Sequence, residues 1–262
     1  MNIVVCVKQV PGSSNVKVDE KTGLLVRSAK GNKLNPYDLC AVEAALRLRE
    51  EKGGRVTAVS MGPPQAKDAL AECLWMGCDA GYLLSDRAFG GADVLATSYT
   101  ISGGIRKLGD FDLIICGKQT TDGDTAQVGA ELAEHLHIPH LSNVLSLREL
   151  TDTSVTVTAL QENRIVTERL KLPCLLCMDA EVNTPRLPSY RRRKSMIEED
   201  IRVLTFADYD DQNPNHYGLK GSPTQVQKIF PPEKKADRVI YHEDAVTSAE
   251  KLVGLLRDRK FI

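Results

Sequence analysis

Across residues 1–145 the chain alternates short, almost wholly apolar runs with stretches whose apolar residues recur at helical spacing, the pattern of βα units on a parallel sheet. Residues 2–7 read as a buried first strand. Residues 38–51 set Leu39, Val42, Ala45, Leu46 and Leu48 among charged neighbours and stop before Gly53-Gly54, which predicts an amphipathic helix. A second strand over 55–60 leads through Gly62-Pro63-Pro64 into a helix over 65–76 that Gly77 ends, and residues 81–84 form a third strand. Residues 93–108 read as helical. Residues 111–116, Phe-Asp-Leu-Ile-Ile-Cys, make the clearest buried strand; a polar, glycine-bearing loop follows, then a helix to about His137.

From Leu145 the pattern changes to runs rich in Thr and Val over 154–160 and 164–170, joined by Gln161-Glu162-Asn163, which read as a β-hairpin. Residues 172–178 look like one more buried strand. Beyond it Pro, Arg, Asp and Asn become frequent and the periodicity weakens, so the core is expected to end near residue 200. Residues 201–242 lack the patterning of a packed domain, whereas 245–257 form a short amphipathic helix with Val246, Leu252, Leu255 and Leu256. An arm laid on another subunit explains both features; a tail with a fraying helix is the simpler alternative.

A chain of 262 residues suffices for one large domain or a domain with a tail, and 42% apolar with 26% charged residues is an ordinary globular balance. A net charge of −1 removes any general electrostatic reason to expect nucleic acid or an anionic membrane as partner. The apolar run at the N-terminus is too short for a signal segment or a membrane span, so a cytoplasmic protein is expected. The seven cysteines sit mostly in apolar segments, as buried thiols in a reducing compartment do, and no disulfide is expected. Cys174 and Cys177 are an odd offset apart on a strand and point to opposite faces, while Cys73 and Cys78 diverge by about 140° on a continuous helix. His135, His137 and His140 share no i, i+4 face, so no metal site is expected.

In an open parallel sheet, ligands bind beyond the carboxyl ends of the strands where strand order reverses, and phosphates favour helix N-termini. The strand over 111–116 is followed by Gly117-Lys118-Gln119-Thr120-Thr121-Asp122-Gly123-Asp124-Thr125-Ala126-Gln127-Val128-Gly129, which runs into a helix. This loop suits a pyrophosphate: Gly117 and Gly123 permit unusual backbone angles, the amides of 124–128 are expected as unpaired first-turn donors, and Thr125 and Gln127 add side-chain donors. An ordinary loop in which Asp122 or Asp124 caps the helix fits the same residues. Residues 6–11 and 60–64, at two other strand ends, can line the same cleft. Asn35-Pro36-Tyr37-Asp38 opens a helix, with Asp38 suited to an N-cap and Asn35 able to read an adenine edge. Ser102-Gly103-Gly104 is similar to the Ser-Gly-Gly loop of ATP pyrophosphatases, but it falls late in a helix and is set aside. No Gly-x-Gly-x-x-Gly follows a strand, which disfavours a Rossmann dehydrogenase, and no local spacing supports a nucleophilic triad.

Val7-Lys8, Asn35-Pro36-Tyr37, Ser60-Met61-Gly62-Pro63 and the 117–129 loop, in that order, resemble the electron transfer flavoprotein β-subunit family over nearly the whole chain. The likeness continues through Leu170-Lys171-Leu172-Pro173 and Asn183-Thr184-Pro185-Arg186-Leu187-Pro188-Ser189, similar to the family's late signature strand and the loop after it. At Gln161-Glu162-Asn163-Arg164 the chain departs from the acidic-Gly-Gly turn of many members.

The resemblance implies an α/β fold, a parallel sheet flanked by helices of the adenine nucleotide α-hydrolase-like kind with a β-hairpin. Residues 1–200 would form the nucleotide-binding domain and 201–262 an extended C-terminal arm packing on an α subunit. It places cofactor contacts at Cys6, Asn35, Pro36, Tyr37, Asp38 and Met61, and at Gly117, Lys118, Gln119, Thr120, Thr121, Asp122, Gly123, Asp124, Thr125, Ala126, Gln127 and Val128. Members hold either AMP or a full FAD there; the stretch 122–128 resembles the bifurcating, FAD-holding type, and small Gly123 and Ala126 leave room for a second phosphate. The implied role is flavin-based electron bifurcation. NADH would deliver a hydride to the bound FAD, one electron passing to ferredoxin and the other through an α-subunit FAD to a flavin dehydrogenase similar to acyl-CoA dehydrogenases. Protein groups would bind and tune the flavin, so no catalytic side chain is expected. Residues 182–194 resemble the family's dehydrogenase-recognition loop, with Tyr190 at its apolar anchor position beside Arg191 and Arg192; a solvated basic loop is the simpler alternative. Two other functions stay open: a non-bifurcating subunit with structural AMP, and a stand-alone ATP-sensing stress-type domain, for which a long C-terminal arm makes little sense.

Overall fold

A computed structural model describes residues 1–12, 17–18, 25–26, 31–197, 200–226 and 239–262. Its centre is a nine-stranded sheet of β1 (Asn2–Cys6), β2 (Arg55–Met61), β3 (Ala80–Leu84), β4 (Leu113–Gly117), β5 (His140–Leu150), β6 (Ser154–Gln161), β7 (Arg164–Lys171), β8 (Cys174–Met178) and β9 (Ile201–Leu204). The strands lie in the order β7-β6-β5-β8-β4-β1-β2-β3-β9. All pairings from β5 through β9 are parallel, and β5, β6 and β7 form an antiparallel flank.

Four helices cover this sheet: α1 (Pro36–Lys52) and α2 (Lys67–Met76) on one face, α3 (Val94–Leu108) and α4 (Val128–Leu136) on the other. Central strands buried on both faces alternate their side chains between the two layers. In β1, Ile3 and Val5 join the α1/α2 layer and Val4 the α3/α4 layer; in β4, Leu113 and Ile115 oppose Ile114 and Cys116. The same alternation sends Cys174 and Cys177 of β8 to opposite faces, as their spacing predicts. Cys73 and Cys78 behave otherwise. α2 ends at Met76, Gly77 takes a left-handed φ of 138°, and Cys78 N–H donates to the Cys73 carbonyl at 3.0 Å. The chain doubles back and the two thiols hydrogen-bond, so divergence along a continuous helix does not apply.

Two strands of the central sheet lie outside the sequence expectation. β5 occupies residues between the helix expected to end near His137 and the hairpin expected from 154, where no element is expected; its pairing with β6 is interrupted by register shifts, so no clean alternation marks it. Packing also continues past residue 200. β9 extends the sheet beside β3, and Tyr209 and Tyr217 are buried against Phe89, with ring centroids 5.2 and 5.7 Å away. The compact unit runs from Met1 to Gln227. Within it a short helix, α5 (Tyr190–Ser195), packs on α2. A second unit, Lys228–Ile262, contains α6 (Ala245–Asp258), whose N-terminal amides at Val246 and Thr247 are capped by Asp244. Val246, Leu252, Val253 and Leu255 of α6 are exposed, as are Phe261 and Ile262.

Candidate functional site

From β1 the chain builds outward to β2 and β3, then returns to place β4 on the other side of β1, so strand order reverses between β1 and β4. Their carboxyl ends, Cys6 and Gly117, flank the crevice where such a sheet takes ligands. Loops 118–127 and 6–11, the start of α1 and Met61 at the end of β2 all meet this edge, so the expected cofactor residues are brought together.

The start of α1 acts as a fastener between the two strand ends. Lys8 N–H donates to Asp38 Oδ2 at 2.7 Å, and Gly117 N–H donates to the same carboxylate. A Cβ on Gly117 would lie 2.3 Å from Asp38 Oδ1 and 2.8 Å from Tyr37 Cβ, so only glycine admits this approach. Asp38 is therefore not the helix N-cap; that position is Asn35, with Pro36 in the first turn. Burial pushes the Asp38 carboxyl up to about 7, against the hydrogen bonds from Asn35, Lys8 and Gly117 that favour its charge. Asn35 is fully buried: its Nδ2 donates to the Gln119 carbonyl at 2.8 Å and its Oδ1 accepts from Thr121 N–H at 3.3 Å. Its side-chain amide thus holds the loop from both ends.

Within the loop, Lys8 Nζ meets Asp122 Oδ1 at 2.8 Å, Gln119 Nε2 donates to Asp124 Oδ1, and Lys118 Nζ reaches Asp179 Oδ2 at 2.8 Å. Burial pushes the Asp122 carboxyl up, but its contact with Lys8 prevails and holds it below the usual range. Neither Asp122 nor Asp124 caps α4, and Asp124 N–H turns back to the Thr120 carbonyl at 3.0 Å. α4 starts at Val128, later than expected, so its free first-turn amides are those of Val128, Gly129 and Ala130. The left-handed residues are also not the glycines: Asp124 and Ala126 have φ of 53° and 55°. Ala126 in that state followed by Gln127 in the right-handed region turns consecutive N–H groups toward one side, a geometry that binds anions. Thr120 and Lys118 are half-buried and residues 121–127, Thr125 among them, are exposed.

Beneath the loop, Cys6, Cys116 and Cys177 lie in register across β1, β4 and β8, and Cys6 and Cys116 hydrogen-bond. Gly129 passes so close to β8 that a Cβ would sit 2.3 Å from Cys177 Sγ. At the carboxyl end of β2, Ser60 Oγ is buried with no protein partner among the described residues. An unpartnered hydroxyl at the crevice, small residues where the loop passes the sheet, and outward-facing amides are chemistry that fits a phosphate-bearing ligand.

Tyr190, Arg191 and Arg192 lie apart from this crevice, on α5 rather than in an open loop. Ser189 caps that helix and donates its own N–H to the Trp75 carbonyl at 2.9 Å, while Arg193 lies 5.0 Å above the Trp75 ring. The segment before it is bolted to α1. Arg186 Nε meets Glu43 Oε2 at 2.7 Å, its second guanidinium nitrogen grips Glu50, and Asn183 Nδ2 donates to the Cys40 carbonyl at 2.9 Å. On this fixed base Leu187 and Tyr190 stand 88% and 71% exposed. Leu187 falls within the 182–194 stretch that resembles a recognition loop, an apolar residue beside Pro188 in a polar segment.

The electron transfer flavoprotein domain family matches residues 22–206. The electron transfer flavoprotein subunit beta of Clostridium acetobutylicum is 43% identical over 262 residues, covering 100% of both chains. The Caffeyl-CoA reductase-Etf complex subunit CarD of Acetobacterium woodii is 41% identical, again over 100% of both. The Acryloyl-CoA reductase electron transfer subunit gamma of Anaerotignum propionicum is 37% identical, over 100% of both.

Proposed function

Because the chain belongs to the electron transfer flavoprotein β-subunit family, we propose that it holds FAD in the crevice between β1 and β4 and serves a bifurcating heterodimer. Family membership brings an α-subunit partner and an association with flavin or AMP. The observation that carries the choice of a dinucleotide is the loop entering α4. Its left-handed Ala126 and the free amides of Val128, Gly129 and Ala130 offer donors for two phosphates, and the space around Gly123, with its nearest neighbour Thr120 Oγ1 at 3.5 Å, leaves a way for the ligand to continue.

Cys6, Asn35, Pro36, Tyr37, Asp38 and Met61 line or brace the adenine end, and residues 117–128 surround the diphosphate. Bound FAD would supply hydride acceptance from NADH and release of two electrons by separate routes, to ferredoxin and through an α-subunit FAD to a flavin dehydrogenase. The chain's own groups bind and orient. Lys8 and Lys118 are paired with Asp122 and Asp179 and fasten the ends of the loop, and the loop held by Asn35 keeps the amide donors in place. Leu187, Tyr190, Arg191 and Arg192 form the docking contact for the dehydrogenase, an apolar pair on a rigid base beside two guanidinium groups. The names of the CarD and gamma-subunit relatives, which tie them to CoA-thioester reductases, favour an acyl-CoA dehydrogenase-like partner. The exposed apolar side chains of α6 suit an arm that packs on the α subunit. No described helix is long and apolar enough to cross a membrane, and we place the complex in the cytoplasm.

Counting cofactors in the purified heterodimer tests this reading. Two FAD per heterodimer are expected; one FAD with one AMP would end the bifurcation proposal and leave a subunit whose nucleotide is structural.

A further inference from the structure

The buried carboxylate of Asp38 bonds the main chain at both lips of the crevice. Lys8 immediately follows β1 and Gly117 ends β4, and these are the neighbours between which strand order reverses. The carboxylate is 4% exposed as part of its residue, so water does not substitute for either amide. The absence of a Cβ at Gly117 brings it within reach. The titratable and charged groups around it are Lys8, whose ammonium is held by Asp122, and the thiols of Cys40, Cys73 and Cys116 from α1, α2 and β4. Among the described residues none of these forms an ion pair with it, so its charge is supported by hydrogen bonds, from the Asn35 side chain first and then from the amides of Lys8 and Gly117.

We propose that Asp38 is a positioning residue: in its ionised form it ties the ends of β1 and β4 together and so sets the width of the nucleotide crevice, without itself touching phosphate. This rests on the reading of that crevice as a nucleotide site. The Asn35 side chain and the amides of Lys8 and Gly117 converge on the carboxylate, and a protonated acid cannot accept from all three equally well, because one oxygen then carries a hydrogen that needs its own acceptor. Protonation therefore loosens one lip. Burial has moved this titration close to neutrality, where the ionised fraction changes steeply. A site competent only when Asp38 is ionised has its affinity reduced by the ionised fraction, roughly tenfold between pH 8 and pH 6.

The experiment titrates the full chain, freed of nucleotide, with ADP-ribose, whose diphosphate diester does not ionise between pH 6 and 8. Affinity is expected to rise about tenfold from pH 6 to pH 8, with proton release on binding seen as buffer-dependent heat. Asp38→Asn offers one acceptor oxygen in place of two and never ionises; it should bind at every pH at least as weakly as the wild type at pH 6, with a flat profile. A residue that only stabilises the fold would not produce that flattening. A flat wild-type profile, a wild-type affinity that falls with pH, or an Asp38→Asn protein that keeps the wild-type slope would overturn the proposal. Should Asp38→Asn fail to fold, the wild-type profile and its proton release decide alone. Absence of ADP-ribose binding at any pH would instead overturn the nucleotide reading of the crevice, and this inference with it.

Discussion

Replacing Gly117 with alanine tests the packing on which the crevice depends. The added methyl would lie 2.3 Å from Asp38 Oδ1 and 2.8 Å from both the carbonyl carbon and Cβ of Tyr37, so the first turn of α1 must retreat by about 1 Å to reach ordinary contact distance. That turn is held from several sides. Asn35 N–H donates to the Lys8 carbonyl at 3.0 Å, its side chain binds the Gln119 carbonyl, and Asp38 accepts from Lys8 N–H. Retreat sacrifices at least one charge-assisted hydrogen bond, worth about 1.5–3 kcal/mol, or else leaves overpacking strain of about 1–3 kcal/mol. The expected loss is thus about 2–4 kcal/mol, which for a unit of this size lowers Tm by roughly 5–15 °C. Thermal denaturation followed by circular dichroism measures it, with Gly123→Ala as the comparison, since a Cβ there meets only Thr120 Oγ1 at 3.5 Å and Lys8 Nζ at 4.0 Å. A Gly117→Ala protein melting within about 2 °C of the wild type would refute the fastener described for α1.

Glu162 sits in the two-residue turn of the β6–β7 hairpin with φ of 50°, so Glu162→Gly should raise stability by roughly 0.5–1 kcal/mol once the added chain entropy of glycine is counted; an unchanged or lower urea midpoint would count against left-handed strain there. Burial pushes the Glu43 carboxyl up, yet Arg186 and Arg47 hold it below the usual carboxylate range, so the stability it contributes is present above its ordinary value near pH 4.5 and lost as pH falls through the depressed one. Arg186→Met should accordingly lower Tm most at neutral pH and least below pH 4, and an equal deficit at both would contradict the ion-pair account. Leu187→Ala and Tyr190→Ala should each slow electron transfer to the partner dehydrogenase severalfold with cofactor content unchanged, and stopped-flow traces indistinguishable from wild type would remove both from the docking contact.

How much of this was legible in the sequence depended on where the stabilising contacts lie. β1, β2, β4 and β8 are buried on both faces, so each reads as an apolar run, and the helices between them show their period. β5 is paired on both sides yet only intermittently buried, and β9 is a four-residue piece among charges; neither leaves a periodic trace. Residues 205–222 hold to the compact unit through a few aromatic rings and capped turns, Phe206, Tyr209 and Tyr217 against Phe89, rather than through patterned apolar positions. The location of the crevice followed from strand ends and loop composition, but the duties of Asn35 and Asp38 did not, because both are spent on main-chain groups distant in sequence. Nor could left-handed backbone at Asp124 and Ala126 be read from residues that rarely adopt it, when a glycine stood between them and the strand.

A sheet of nine strands has two open margins, each a template on which a second chain could polymerise. Here one margin, β9, is only four residues long, and the other, β7, carries Arg164, Glu168, Arg169 and Lys171 along its eight residues. An incoming strand would have to desolvate those charges for little apolar return. The antiparallel flank therefore works as a guard rail: it ends the sheet in a form that resists fibre growth.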